Sequence, residues 1–132
     1  MIFFTSITLN YLPKARLLSK TLKKLHPDWH LYIIINDRIE SNQRQSFIEE
    51  NSKYFSKIFW LDNLEINNRE AWIFQHTTVE LCTAVKGLFL KELLLEGHEK
   101  IVYLDPDIAI FNNLTKIPAL LDDYGILLTP HL

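Results

Sequence analysis

The chain has 132 residues, 48% of them hydrophobic and 12% aromatic, and a formal net charge of -2. This composition fits one domain with its own core, and it excludes a disordered chain and a globally basic nucleic-acid binder. Cys82 is the single cysteine, which excludes an internal disulfide, and no apolar run reaches the roughly 18 residues of a membrane span. We therefore expect one domain over residues 1–132 and a cytoplasmic location, with peripheral contact at a membrane left open.

Apolar periodicity and turn residues predict strands that alternate with helices. In chain order the predicted elements are a strand at 2–8, a helix at 12–25, a strand at 29–36, a helix at 41–51, a strand at 57–61, a short helix at 69–74, a long helix from Thr77 to Glu96, strands at 101–104 and 108–111, a helix at 118–123 and a strand at 125–129. Thr77 and Glu80 have the spacing of a capping box, and Gly97 is the predicted stop of the long helix. The alternation predicts an α/β fold, a Rossmann-like α/β/α sandwich with a mostly parallel sheet.

Polar residues lie at the carboxyl ends of four of the predicted strands. They occupy positions 5–8, 36–37, 105–107 and 129–131. Ligands of parallel α/β sheets bind at the carboxyl ends of the strands, near the point where the strand order reverses. The sequence therefore predicts a polar site at one edge of the sheet.

The segment Asp105-Pro106-Asp107 is the strongest chemical signal in the chain. Residues two apart in extended backbone point to the same side, and the proline stiffens the pair. Two carboxylates in this arrangement suit Mg²⁺ or Mn²⁺, with phosphate completing the ligand shell. Aspartate and proline are also ordinary turn residues, so the motif by itself leaves a simple turn open.

The order of several motifs resembles a known family. Asn10-Tyr11 follows the first strand, Asn36-Asp37 closes the second, residues 80–86 (Glu-Leu-Cys-Thr-Ala-Val-Lys) lie on the long helix, and residues 103–107 (Tyr-Leu-Asp-Pro-Asp) end the next strand. This set resembles the N-terminal half of GT-A-fold glycosyltransferases, especially relatives of family eight, over residues 3–131. The resemblance implies metal-dependent transfer of a sugar from a nucleotide diphosphate sugar to a hydroxyl acceptor. A UDP-sugar is the favoured donor. The acceptor, whether glycan, lipid or protein, is left unspecified.

The resemblance also implies roles for the phosphate and sugar side of the site. Asp105 and Asp107 match the DXD pair, which holds Mn²⁺ or Mg²⁺ against the two phosphates, and Asp105 would also touch the ribose. Lys86 would reach the donor sugar and phosphates, with Thr83 one helical turn before it. The simpler alternatives are a lysine that snorkels along the helix surface and, for Thr83 and Cys82, packing.

The nucleoside side of the implied site uses residues at the ends of the first two strands. Tyr11 matches an aromatic residue that stacks on the base, and Ser6, Thr8 and Asn10 match the strand-end positions that contact the base. Asp37 is a further nucleotide-binding candidate. Capping of the core by Tyr11 and a turn at Asp37 are the alternatives that remain open.

Members of this family are usually about twice as long, so the resemblance implies that the chain corresponds to a donor-binding half. Acceptor contacts and a further histidine ligand would then come from the other half, and His131 is not assigned that role. Two alternatives remain: a non-catalytic remnant or nucleotide-sugar-binding module, and a receiver-like phosphotransfer domain, for which residues 5–8 lack the acidic partners. His26, His30 and His98 lie beside predicted turns and are expected at the surface.

Overall fold

A computed structural model describes residues 1–130 and has four strands and five α-helices within that range. The strands are β1 (Ile2–Ile7), β2 (His30–Ile35), β3 (Lys57–Trp60) and β4 (Ile101–Tyr103). The helices are α1 (Leu12–Leu25), α2 (Ser41–Asn51), α3 (Arg69–Phe74), α4 (Thr78–Leu95) and α5 (Lys116–Asp123), with 3-10 turns at Leu9–Tyr11 and Leu61–Asn63. None of these helices is both long enough and apolar enough to cross a bilayer.

The four strands form one parallel sheet in the order β3-β2-β1-β4. From β1 the chain moves outward to β2 and β3, and then returns to the other side of β1 as β4. The strand order therefore reverses between β1 and β4, which is where sheets of this type bind ligands. The predicted α/β fold with a parallel sheet covered by helices is confirmed.

Alternate residues of the strands face two separate apolar layers, because successive side chains of a strand point to opposite faces. Phe3 and Ile33 belong to the layer under α1, whereas Phe4 and Ile34 belong to the layer under α4. The helices contribute apolar residues at helical spacing, which are Ala15, Leu18 and Leu22 from α1 and Leu81, Val85, Phe89 and Leu93 from α4. The sheet is thus buried on both faces, as expected for parallel strands.

Local signals explain where α4 begins and ends. The Thr77 hydroxyl accepts a hydrogen bond from the Glu80 backbone N–H, and the Glu80 carboxylate accepts one from the Thr77 N–H, as in a capping box. Hydrogen bonds from Thr77 lower the pKa of Glu80, and the bond from the Thr77 backbone N–H has a larger effect than the bond from its hydroxyl. The helix stops before Gly97, whose φ of +90° favours glycine. The predicted capping box and stop are confirmed.

The segment after β4 was predicted as a strand at 108–111, and this prediction is wrong. The segment lies along α1 instead: the backbone N–H of Ile110 donates to the Thr21 hydroxyl, and that of Leu114 donates to Nε2 of His26, each at 3.0 Å. His26 is therefore buried rather than at the surface, and its ring stacks on Trp29 with centroids 3.7 Å apart. The side chains of Thr21 and His26 thus accept the backbone hydrogen bonds that a neighbouring strand would accept in a sheet.

The predicted strand at 125–129 is also wrong. In the structure this segment is irregular, and its apolar side chains are exposed, by 77% at Ile126 and 88% at Leu128. A strand exists only where a neighbour supplies hydrogen bonds, and no strand pairs with this segment in the described part of the chain. Thr129 therefore does not reach the sheet edge as a strand end, and His131 lies outside the described residues.

Candidate functional site

Strands β1 and β4 lie side by side at the point where the strand order reverses, and β4 ends beside Phe4, before β1 itself ends at Ile7. Phe4 of β1 pairs with Tyr103 of β4, and the Leu104 backbone N–H donates to the Phe4 carbonyl at 3.0 Å. The next residue, Asp105, lies just past the carboxyl end of β4. Helix α4 crosses this region and packs on both strands, so the strand ends and the helix together define the site.

Two side chains, those of Tyr103 and Lys86, reach the Asp105 carboxylate. Its Oδ1 accepts a hydrogen bond from the Tyr103 hydroxyl at 2.8 Å, and the Lys86 ammonium lies 3.3 Å from the same oxygen. Lys86 also lies over the Tyr103 ring, 4.3 Å from its centroid. Burial, followed by the hydrogen bond to Asp105, raises the pKa of Tyr103 further above neutral pH, where a tyrosine hydroxyl is already a hydrogen-bond donor.

The donor chemistry of Asp105 and Asp107 fits a hard divalent cation. Both residues are exposed at the carboxyl end of β4, on the turn that follows it. Within residues 1–130 no cluster of three or more histidine, cysteine or acidic side chains forms around a possible metal position. Two carboxylates alone suit Mg²⁺ or Mn²⁺ when phosphate and water supply the other ligands. The metal role predicted for this pair stays a prediction.

A buried polar network ties β1, β2 and α4 together beneath the site. The Asn36 amide nitrogen donates to the Ser6 hydroxyl at 2.8 Å and to the Ile7 carbonyl at 3.1 Å. The Ser6 hydroxyl in turn donates to the Cys82 carbonyl at 3.0 Å. Burial raises the pKa of the Cys82 thiol, in keeping with a packing role. Ser6 is only 3% exposed, so the base contact predicted for it requires its hydroxyl to change partners.

The remaining nucleoside candidates line the loop after β1. The Leu9 backbone N–H donates to the Asp37 carboxylate at 2.5 Å, which joins the ends of β1 and β2. The Thr8 hydroxyl donates to the Asn10 side chain, so these two bond to each other. Tyr11 is partly buried against the α1 layer, consistent with the core-capping alternative. Their predicted contacts with a nucleotide are untested.

Thr83 lies one helical turn before Lys86, as predicted, and is exposed. Its hydroxyl donates to the Val79 carbonyl at 3.1 Å within α4. Among the described residues no hydrogen bond joins Thr83 to Asp105, whereas Lys86 does reach the carboxylate.

Two site features were missed by reasoning from the sequence. Tyr103 contacts the central carboxylate, and its position two residues before Asp105 was the available signal, because such residues share a side in a strand. Asn36 is 7% exposed, and its Oδ1 has no hydrogen-bond partner among the described residues. A buried asparagine at a strand end is unusual enough to have indicated a network.

A groove of about 480 Å³ adjoins the site beyond the end of β2. Its wall includes Arg44, whose guanidinium donates a bidentate pair of hydrogen bonds to the Asp62 carboxylate and lies over the Trp60 ring. The hydrogen bond from Arg44 lowers the pKa of Asp62. Arg69 donates to the Asp62 carbonyl at 3.2 Å and closes the far side. The groove shares Asn36 and Asp37 with the candidate site.

The sequence matches no known protein-family model, and the comparison with curated proteins finds no significant match.

Proposed function

We propose that this chain is a GT-A-like nucleotide-sugar-binding domain that takes part in glycosyl transfer to a hydroxyl acceptor. The donor would be a nucleoside diphosphate sugar, with a UDP-sugar first among them. The observation that carries the proposal is the contact between Lys86 and Asp105 at the point where the strand order reverses. A carboxylate and an ammonium within reach of one another, beside exposed Asp107, supply binding groups for a cation and for the phosphates that it bridges.

The chain's own residues have distinct tasks in this proposal. Asp105 and Asp107 hold Mn²⁺ or Mg²⁺, which when bound neutralises charge on the diphosphate leaving group. Lys86 binds a phosphate oxygen through its ammonium and stabilises the negative charge that builds up as the sugar departs. Tyr11, Thr8, Asn10 and Ser6 contact the base, and Asp37 holds the loop that carries them. The catalytic groups that act on the acceptor are not assigned.

The second candidate is a nucleotide-sugar-binding module that has no transferase activity. The observation in its favour is that polar contacts tie together the phosphate candidates Lys86 and Asp105 and hold the nucleoside loop through Asp37, whereas the apolar segment 125–129 is left exposed. Release of nucleoside diphosphate from a UDP-sugar on addition of candidate acceptors would separate a transferase from a module that only binds.

The proposal is tested by replacing one metal-binding carboxylate. Asp107→Asn should remove the Mn²⁺-dependent part of UDP binding, a loss of roughly tenfold or more in affinity, because one of the two protein ligands is neutralised. Asp28→Asn is the matched control, since Asp28 is exposed at the opposite edge of the sheet, just before β2. Equal UDP affinity in the wild type and the Asp107 variant, with Mn²⁺ present, would contradict the proposed site.

A further inference from the structure

The Tyr103 hydroxyl is the one neutral donor that reaches the Asp105 carboxylate in the described part of the chain. It lies 2.8 Å from Oδ1, closer than the Lys86 ammonium at 3.3 Å. Both donors use the same oxygen. Within residues 1–130 no hydrogen bond reaches Oδ2, so that oxygen is available to an incoming cation.

The Tyr103 ring cannot easily change its direction. It belongs to β4, whose backbone pairs with β1, and its ring packs edge-on against Phe4 with centroids 5.2 Å apart and planes at 61°. Lys86 covers the ring, 4.3 Å from its centroid. Because the ring is held in this way, its hydroxyl has a fixed position. The Asp105 side chain is 54% exposed and would rotate freely without the hydrogen bond from this hydroxyl.

We infer that Tyr103 is a positioning residue for the cation site. Its hydroxyl holds Oδ1 of Asp105 toward α4 and leaves Oδ2 as the oxygen that binds a divalent cation. This inference rests on the proposed function, because it assumes that Asp105 is a metal ligand. Hydrogen bonds that orient metal-binding carboxylates commonly change metal affinity by about 10–100-fold when they are removed.

The test is Tyr103→Phe, which deletes only the hydroxyl. Titration of the full chain with Mn²⁺, followed by the electron paramagnetic resonance signal of the free ion, should give roughly tenfold weaker binding than in the wild type. UDP affinity at saturating Mn²⁺ should be unchanged, because a bound cation then fixes the carboxylate. A purely structural role of the hydroxyl would change both affinities together. Tyr32→Phe is the matched control, since Tyr32 is buried in the same layer of the sheet and, among the described residues, makes no hydrogen bond to Asp105.

The outcomes separate this inference from the proposed function. If the wild type binds Mn²⁺ and Tyr103→Phe binds it equally well, the positioning role is wrong and the metal site stands. If the wild type binds neither Mn²⁺ nor UDP, the proposed function is wrong and the positioning role falls with it.

If Tyr103→Phe does not fold, the inference can be tested by a measurement on the wild type instead. In protein labelled with ¹³C at the tyrosine ζ carbons, addition of diamagnetic Mg²⁺ should move the Tyr103 resonance and leave that of Tyr32 in place. An unmoved Tyr103 resonance at a Mg²⁺ concentration that saturates the site would overturn the inference.

Discussion

The Lys86 ammonium lies 3.3 Å from Oδ1 of Asp105, so a lysine of α4 forms an ion pair with the carboxylate that follows β4. The Lys86 side chain is 30% exposed and the Asp105 side chain is 54% exposed. Ion pairs this accessible to water contribute about 0.2–1 kcal/mol, so a ligand can exchange them at little cost. A divalent cation on Oδ2 of Asp105 would repel the Lys86 ammonium on the same carboxylate, and the ammonium would then be available to a phosphate.

Lys86→Met should therefore have effects of opposite sign on the two ligands. Mn²⁺ alone should bind up to about fivefold more tightly, because the ammonium that repels it at Asp105 is gone. UDP at saturating Mn²⁺ should bind roughly tenfold more weakly, because a charged hydrogen bond to phosphate is lost. Calorimetric titration with each ligand measures both effects.

Lys91→Met is the control for this change, since Lys91 is an exposed lysine on the same helix. It should leave both affinities at their wild-type values. Weaker Mn²⁺ binding in Lys86→Met would contradict repulsion at Asp105, and an unchanged UDP affinity would remove Lys86 from the phosphate contacts.

Asn36→Ala should destabilise the fold beneath the site. The Asn36 amide joins β1 to β2 through Ser6 and Ile7, and buried polar groups that lose a partner cost about 1–3 kcal/mol. We expect the free energy of unfolding, measured by urea denaturation, to fall by about that amount. Asn42→Ala on the exposed side of α2 should change it by less than about 0.5 kcal/mol, and a similar small change at Asn36 would contradict the network.

The pair of Arg44 and Asp62 predicts a pH dependence of stability. The hydrogen bond from Arg44 lowers the pKa of Asp62 from its ordinary value of 3.8, so the folded state binds this proton less readily than the unfolded chain. The stabilisation by Asp62 is then complete above the unfolded pKa and is lost as the pH falls through the lower folded pKa. Asp62 is 41% exposed, so the contribution at neutral pH is at most about 1 kcal/mol.

Urea denaturation of the wild type and Asp62→Asn checks this dependence. The difference in the free energy of unfolding between the two proteins should be largest near about pH 6 and should shrink toward about pH 3, since the variant cannot titrate at this position. A difference that stays constant over this range would contradict a lowered pKa for Asp62.

Most of the fold follows from local patterns in the sequence. The α1 helix could be predicted from its apolar stripe and from Pro13 in its first turn, and α4 from the capping pair Thr77 and Glu80. The order of strands and helices likewise indicated a parallel sheet. These features depend on neighbours in the chain, so periodicity and caps are sufficient to find them.

The errors lie where distant residues decide the structure. Ile108 to Phe111 has strand-like composition, but the hydroxyl of Thr21 and the ring of His26, more than 80 residues away in the chain, bind the backbone at Ile110 and Leu114. The same limit explains why the role of Asn36 was missed, because its contacts with Ser6 and Ile7 exist only once β1 and β2 have paired. The contact of Tyr103 with Asp105 joins residues two apart in the chain and was missed although its signal is local.

We propose above that the residues after β1 and β4 form a metal-dependent site for a nucleoside diphosphate. The decisive measurement is titration calorimetry of the chain with UDP, with and without Mn²⁺. We expect binding that strengthens on addition of Mn²⁺, and we expect this strengthening to be lost in Asp107→Asn. UDP binding that is absent in both conditions, in a sample shown to be folded, would contradict it and leave Asp105 and Asp107 as residues of a turn.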